Sequence, residues 1–451
     1  MDNFILFLYN FILHFLALTL LPVLMLITPM IKRFRLGFLN YFGRFGKKQA
    51  EFINSCKAAK RDIYLIHGVS VGEVKLARFV MDEILKTSPD AAFVITSTSL
   101  ESVGEAERFS AHYRSISIFF PLDIPIFVSN FLKELKPEAI FVLEVDLWPN
   151  FIIAGARMQV PFYLLNGRVS NKTLSFYSKI PSFTKSLLSL IDFFFMQSAH
   201  DAEMIIQLGA DPKNVAVCGN MKFDLAKSPA DRDKIVEIND AIAASFGRTY
   251  DFTLCAGSTH ENEEEIVANS LISASGPGGI NALLIIAPRK IERAEAILKK
   301  IKERGIRAAR FSAPLTPGAP CIKHEPSLPD ALIIDRMGYL ASAYSLADAA
   351  FVGGTLSLKD VGGHNVIEPA AFGIPVIAGE NVRNFKDVAR ELEKSGGFFK
   401  VANEEELKNK LTEFLSGRNQ YALSCGARSL IEIVAQNSNV TEKIFTRIRG
   451  V

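Results

Sequence analysis

The sequence predicts an α/β protein of two domains, each a parallel sheet covered by helices, carried behind an apolar N-terminal segment. Three observations predict it. Short runs that are apolar on successive residues alternate with stretches of helical periodicity, as expected of strands buried on both faces. That alternation stops at a polar, proline-containing stretch, residues 225–234 (LAKSPADRDK), and restarts beyond it. At 451 residues the chain exceeds what one hydrophobic core organises, so two domains of roughly 200 residues are expected.

The chain opens with residues 4–31, 28 positions without Asp, Glu, Lys or Arg. At ~1.5 Å per residue such a helix could cross a hydrocarbon layer of about 30 Å. No Lys or Arg precedes the run and no small-x-small site ends it, which disfavours a cleaved signal peptide. Lys32, Arg33, Arg35, Arg44, Lys47 and Lys48 follow, with only Asp2 in front, so the positive-inside rule leaves the body of the protein in the cytoplasm. Residues 1–31 are therefore expected to be a membrane anchor, either spanning or dipping as a hairpin bent at Pro22. Phe34, Phe38, Tyr41, Phe42 and Phe45 recur at helical spacing among the basic residues. They fit two readings, a segment lying on an anionic bilayer face or burial against the first domain.

Composition excludes several classes. A net charge of +3, from 51 basic and 48 acidic residues, leaves no nucleic-acid footprint. The five cysteines (Cys56, Cys218, Cys255, Cys321, Cys425) are far apart and form no CxxC pair, and the seven histidines form no HxxxH pair. A reducing compartment is expected, with no disulfide framework and no structural metal.

The first domain is expected over residues 32–225, with strand-like runs at 63–66, 92–96, 140–145, 162–165, 193–196 and 215–217. In parallel sheets the chemistry sits beyond the carboxyl ends of the strands, and three of those ends are unusual. His67-Gly68-Val69-Ser70-Val71-Gly72-Glu73 leads into a helix, where the two glycines leave the carboxylate room for a ligand and Glu73 could serve as general base to a sugar hydroxyl. Ser70-x-x-Glu73 is equally a capping box, which needs no ligand. Glu144-Val145-Asp146-Leu147-Trp148-Pro149-Asn150 carries two carboxylates and the only Trp. Buried acids directly after a strand need a partner. Asn166-Gly167-Arg168-Val169-Ser170 brings an Arg to the same edge, available to a ligand or to an ion pair with Glu144 or Asp146.

The second domain, residues 235–417, repeats the architecture with runs at 252–256, 283–287, 331–334, 349–352 and 375–378. Its strand ends present Ser258, in Gly257-Ser258-Thr259-His260-Glu261, and Arg289, in Pro288-Arg289-Lys290. An anion is expected where strand gives way to helix, and Arg adds a fixed positive fork. The most informative stretch is residues 353–379, GGTLSLKDVGGHNVIEPAAFGIPVIAG. Its glycines, Gly354 and Gly363 among them, stand where backbone comes close to a ligand. Asn365 and Glu368 are three apart at a helix start, where one carboxylate can accept from both hydroxyls of a ribose. Asn365-x-x-Glu368 is also a capping box. The tail, 418–451, is helical in pattern and is expected to cross back onto the first domain.

Taken together, HGVSVGEV, EVDLWPN, NGRVS, AGSTHENEEE, APRK and FVGGTLSLKDVGGHNVIEPAAFGIPVIAG closely resemble the 3-deoxy-D-manno-octulosonic acid (Kdo) transferases of lipopolysaccharide inner-core synthesis, in the family's order and over nearly the whole chain. The resemblance implies a GT-B fold, two Rossmann-like doubly wound domains facing a central cleft, with the lipid acceptor on the N-terminal side and CMP-Kdo on the C-terminal side. It implies inverting transfer of Kdo to a lipid A precursor (lipid IVA) at the cytoplasmic face of the inner membrane, without an obligate protein partner. It places the general base on Glu73 and the cytidine-monophosphate contacts on or near Ser258, Arg289, Asn365 and Glu368, with Gly354 and Gly363 beside them. Ser70, Gly72, Glu144, Asp146, Asn166 and Arg168 would then line the acceptor side. No DxD-type metal motif stands in either set, so metal-independent transfer without a cofactor is expected. Departures from the family pattern are Val145-Asp146, Val366-Ile367 in place of Pro-Leu, and Tyr339 where an acidic residue is common. Two other classes remain open: another GT-B nucleotide-sugar glycosyltransferase or an epimerase, and a non-catalytic membrane-attached nucleotide-binding module.

Overall fold

The computed structural model describes residues 3–27, 32–144, 147–227, 230–276, 280–313, 328–356, 361–417 and 420–450. The chain divides into two compact units, Met1–Asp224 with Asn439–Val451, and Leu225–Ser438.

The first unit is built on seven strands: β1 (Ile63–His67), β2 (Ala92–Ser97), β3 (Ser115–Phe119), β4 (Ala139–Leu143), β5 (Phe162–Gly167), β6 (Phe193–Met196) and β7 (Val215–Val217). They lie in the order β3-β2-β1-β4-β5-β6-β7, every neighbouring pair parallel. The order reverses between β1 and β4. That reversal opens a crevice at their carboxyl ends, because the following loops run to opposite faces. All side chains of β2 and β4 are buried, which is why these stretches read as continuous apolar runs.

The second unit repeats the plan with β8 (Phe252–Thr259), β9 (Ala282–Pro288), β10 (Arg307–Arg310), β11 (Asp330–Ile333), β12 (Ala349–Val352), β13 (Val376–Gly379) and β14 (Phe398–Val401). The order is β10-β11-β9-β8-β12-β13-β14, again wholly parallel, with its reversal between β8 and β12. Both sheets are therefore doubly wound, as the alternation of runs predicts.

Three strands, β3, β10 and β14, are absent from the apolar runs of the sequence, and all three are sheet edges. An edge strand has one neighbour and a partly solvated face, so it does not need an unbroken apolar run. Ser115-Ile116-Ser117-Ile118-Phe119 alternates instead, and Arg307-Ala308-Ala309-Arg310 is capped by charge at both ends. The expected run 140–145 also ends early. Glu144 has φ +61, a left-handed conformation that stops the strand at Leu143.

Before β1 come helix α1 (Asn3–Ile27) and a second helix, Lys32–Tyr41. Among the described residues no helix is long and apolar enough to cross a membrane. Of the two readings of the aromatic collar, the structure takes burial for Tyr41, Phe42 and Phe45. Their rings lie 5.8, 5.2 and 5.3 Å from those of Phe119, Phe127 and Phe131. The side chain of Phe34 lies outside the described ones.

At the other end of the chain, helix Gln420–Asn437 belongs to the second unit and helix Val440–Arg449 to the first. The fully buried carboxylate of Asp224 accepts from the backbone N–H groups of Val440 (3.1 Å) and Thr441 (2.9 Å) and from the Thr441 hydroxyl (2.6 Å). Those are orphan donors of a helix start, and a carboxylate is the strongest acceptor available to them. Phe445 then packs on Phe141 of β4 at 5.6 Å.

Candidate functional site

In the first unit the described residues named from the sequence stand at the carboxyl ends of three neighbouring strands, Ser70, Gly72 and Glu73 after β1, Glu144 after β4, and Asn166 and Arg168 at the end of β5. Ser70 caps helix Val71–Leu85, its side chain accepting from Glu73 N at 3.2 Å and donating to Glu73 Oε1 at 2.6 Å. The Val69 N–H donates to the other carboxylate oxygen at 2.8 Å. One half of the capping interpretation of Ser70-x-x-Glu73 is seen, the Ser70 side chain on Glu73 N, while the buried Glu73 carboxylate takes the Val69 N–H and the Ser70 hydroxyl and so holds the loop ahead of the helix. The same contacts fix the carboxylate's orientation just beyond the carboxyl end of β1. His67, the other titratable group there, is excluded as a base at neutral pH. Complete burial pushes its imidazole down to about 3, against Thr96 and with the Phe120 ring 4.2 Å away.

The two glycines of this loop differ. A Cβ at Gly68 would come within 3.2 Å of Glu73 Cβ and 3.4 Å of Val74 N, tight enough that packing alone favours a glycine. A Cβ at Gly72 would meet only Ser70 Oγ, at 3.7 Å. Packing makes no demand at Gly72, which has open space in front of it. A Gly72→Ala chain is expected to melt within about 2 °C of the parent, since alanine at a helix start is not penalised. Its turnover should nevertheless fall by roughly tenfold or more if substrate uses that space. Equal turnover of the two proteins on the acceptor would remove Gly72 from the site.

Glu144, next along the reversal, forms an ion pair with Lys222 at 3.1 Å, both groups largely buried. Lys222 follows β7, and as a lone lysine in a polar turn it carries no pattern in the sequence. Asn166 is fully buried with φ +56, and its Oδ1 accepts from Met221 N at 2.8 Å, tying the end of β5 to the Lys222 turn. Among the described residues its Nδ2 has no hydrogen-bond partner. Arg168 is half-buried one turn further on. Asp146 lies outside the described residues.

In the second unit Ser258 occupies an irregularity of β8 opposite β9, with φ +56, a conformation that costs a non-glycine residue about 1 kcal/mol or more. Arg289, exposed beyond β9, lines with Lys290, Arg293, His260 and Glu261 a cavity of about 530 Å3 at the carboxyl ends of β8 and β9. Its lining carries three cationic side chains against the carboxylates of Glu261 and Glu263, and Glu263 is already taken up by backbone N–H groups, a balance that suits an anionic ligand. Arg293 is already committed in part, forked onto Glu264 at 2.8 and 3.1 Å. His260 is tied by its Nε2 to His364 Nε2 at 2.8 Å, and burial holds its imidazole below the ordinary value. That contact joins the loop after β8 to the glycine-rich loop after β12.

The glycine-rich loop after β12 is held by a carboxylate of its own unit. The N–H groups of Gly354, Thr355 and Leu356 do not stand open for a phosphate. They donate at 2.7, 3.0 and 3.0 Å to the buried carboxylate of Glu263, which also accepts from His260 N at 2.9 Å. Gly354 and Gly363 have φ +72 and +80, and a Cβ at Gly363 would lie 2.7 Å from Asn381 O, so both glycines are demanded by the loop itself. The capping box expected of Asn365 and Glu368 is corrected. The Asn365 side chain accepts from Ile367 N, two residues on, at 3.0 Å, and the helix that follows, Ile367–Ala371, has no side-chain cap. Pro369 and the glycine that follows keep this helix to 5 residues. Asn365 and Glu368 are both half-buried. Burial and then the Glu368 charge hold the Cys255 thiol above its usual value, and burial, then Cys255 and then Glu368, do the same for the Tyr344 phenol. Among the described residues no group of three or more His, Cys, Asp or Glu is placed to hold a metal ion.

Residues 39–225 match the family model described as 3-deoxy-D-manno-octulosonic-acid transferase, and residues 334–428 match that of glycosyl transferases group 1. A 3-deoxy-D-manno-octulosonic acid transferase of Aquifex aeolicus is 30% identical over 380 residues, covering 84% of this chain and 92% of that protein. The chain belongs to the 3-deoxy-D-manno-octulosonic acid transferase family. A bifunctional glycosyltransferase/methyltransferase of Fusobacterium nucleatum is likewise 30% identical, over 76% of this chain, but the chain spans only about half, 51%, of that longer protein. Among solved structures, a UDP-GlcNAc 2-epimerase from Neisseria meningitidis aligns over 86% of this chain with a TM-score of 0.53 at 13% identity, a likeness of fold alone. In this Kdo transferase family member, the two residues that sequence reasoning missed and the structure brings forward are Glu263 and Lys222. The signal for Glu263 was present as an acidic run at a helix start, Glu263-Glu264-Glu265, the place where a carboxylate meets orphan N–H groups.

Proposed function

We propose that the chain is an inverting glycosyltransferase that moves Kdo from CMP-Kdo to a lipid A precursor at the cytoplasmic face of the inner membrane. The observation that carries this reading is membership of the family together with Glu73 held just past the central strand at the sheet reversal. In this reading Glu73 removes the proton of an acceptor hydroxyl as its oxygen attacks the anomeric carbon of Kdo from the face opposite CMP. The configuration inverts through an oxocarbenium-like transition state. In this reading Arg289, Ser258 and Lys290 would supply positive charge and donors to the leaving phosphate of CMP, supported by the cationic cavity that Arg289 and Lys290 line, and a monophosphate needs less neutralisation than a diphosphate. No metal step is proposed. Glu368 would hold the ribose hydroxyls. The N-terminal helix serves as the membrane anchor, supported by its uncharged sequence and by the exposed apolar side chains along residues 4–18.

The test is product mass after incubating the purified full chain with a lipid A precursor and either CMP-Kdo or UDP-sugars, with and without a chelator. Addition of Kdo only from CMP-Kdo, undiminished by the chelator, is expected. Transfer from a UDP-sugar, or modification of the nucleotide sugar without acceptor, would favour the other classes. For Glu368→Gln, loss of a charged hydrogen bond worth about 1.5–3 kcal/mol should raise the CMP dissociation constant by roughly tenfold or more. An unchanged constant would return Glu368 to a role in the helix start alone.

A further inference from the structure

Helix α1 has two unlike faces. On one, Ile5 and Leu6 pack against the core of the first unit. Beside them Tyr9 donates to Asp123 Oδ2 at 2.8 Å, and Asn10 Oδ1 accepts from Asn150 Nδ2 at 2.7 Å. Asp123 is buried and also accepts from the backbone N–H groups of Asn150 and Phe151, at 3.0 and 2.9 Å, in the first turn of helix Pro149–Arg157. One carboxylate thus caps that helix and grips α1. On the opposite face Phe4, Phe7, Phe11, Phe15 and Leu18 are 57–77% exposed, the rings of Phe7, Phe11 and Phe15 following one another at 6.3 and 6.5 Å.

We propose that α1 lies in the plane of the bilayer surface, its phenylalanine stripe in lipid and its polar edge latched to the first unit through Tyr9–Asp123 and Asn10–Asn150, and that it does not cross the membrane. This rests on the reading of the N-terminal segment as the membrane anchor. The geometry of a span conflicts with the latch. Asn10 is about 25 Å along the helix from Ile27 at ~1.5 Å per residue, so in a spanning helix it would reach the far half of the hydrocarbon layer. Asp123 and Asn150 would have to follow it there, drawing polar groups and the body of the unit into lipid at a cost of several kcal/mol. An in-plane helix keeps the latch at the interface and needs only one apolar face. Lipid is the occupant that fits, because the stripe has no charged residue within it and Lys32, Arg33 and Arg35 come next in the sequence, where anionic headgroups attract them. It also gives Asn150, in EVDLWPN, a positioning role that does not involve the reacting atoms.

Three measurements on the full chain test this. An epitope tag placed ahead of Met1 should be shielded from protease in sealed spheroplasts and digested in inside-out vesicles, as a tag after Val451 is. Digestion of the first tag from the outer side would overturn the proposal. Flotation with phosphatidylethanolamine and phosphatidylglycerol vesicles should fall roughly tenfold or more for Phe7→Ser/Phe11→Ser, whose parents are exposed and leave the fold intact. Unchanged flotation, or a detergent-solubilised dimer dissociated by the same pair, would assign the stripe to something other than lipid. The double change Tyr9→Phe/Asn10→Ala should speed chymotryptic cleavage between Phe4 and Phe15 in micelles by about tenfold, as expected when a local latch of ~1.4 kcal/mol is lost. An unchanged rate would remove the latch. Kdo transfer in mixed micelles is read separately, so a chain that transfers sugar with its N-terminus outside loses this inference and keeps the proposed function.

Discussion

Glu73→Gln is expected to lower Kdo transfer by about 10²–10⁴-fold while leaving the protein folded and able to bind CMP. The separation of these effects follows from the contacts of the carboxylate. It accepts from the Ser70 hydroxyl at 2.6 Å and the Val69 N–H at 2.8 Å. A carboxamide oxygen keeps the Val69 bond, and Ser70, which already accepts from the backbone of residue 73, can turn to accept from the new NH2 as well. The cap should therefore lose no more than ~1 kcal/mol. The proton-accepting capacity is lost outright, because an amide does not take a proton near neutral pH. Ser70→Ala supplies the converse control, with a stability loss of about 1 kcal/mol from the missing cap and a smaller effect on rate. Measured together, the thermal midpoint and the transfer rate separate base from cap. A Glu73→Gln protein transferring Kdo at the parental rate would remove the assignment of Glu73 as general base.

Glu263→Ala is expected to cost about 3–5 kcal/mol of stability in the second unit, as for a buried ionic group whose partners are stranded. Four backbone N–H groups, of His260, Gly354, Thr355 and Leu356, point at that carboxylate, those of Gly354 and Thr355 in fully buried bonds. Alanine leaves them without an acceptor and removes a negative charge from the start of helix Glu263–Ser275, where it is favourable. The loss should appear as a lower denaturation midpoint and as weaker CMP binding, because the anchored loop leads to Asn365 and Glu368. Glu263→Gln should fall between parent and alanine, its single carbonyl oxygen replacing half of the acceptor. A Glu263→Ala protein that melts within about 2 °C of the parent would show that the loop holds itself without the carboxylate.

Much of the fold was legible because both sheets bury their inner strands on two faces, which forces unbroken apolar runs into the sequence. The strands not legible were edges. The positions of Glu73, Glu144, Ser258 and Arg289 at strand ends could also be read, because glycines and acids directly after an apolar run are costly unless they serve a turn or a ligand. What could not be read was partnership across long sequence distances. Nothing near Glu144 announces Lys222, nothing near Gly354 announces Glu263, and nothing in EVDLWPN announces that Asn150 reaches Asn10. Local spacing was also a weak guide to cap geometry. In Ser70-x-x-Glu73 the Ser70 side chain takes Glu73 N as predicted, whereas in Asn365-x-x-Glu368, with the same spacing, the Asn365 side chain takes the N–H of residue 367 at the head of a helix of 5 residues.

The return of helix Val440–Arg449 to the first unit bears on how the protein can be taken apart. A fragment stopped at Asp224 would strand a fully buried carboxylate without its three donors and uncover Phe141, so the N-terminal half does not correspond to a continuous piece of gene. Anyone wishing to express it alone should splice residues 439–451 onto its end through a short flexible linker. The second unit, by contrast, is contiguous and can be excised with two cuts.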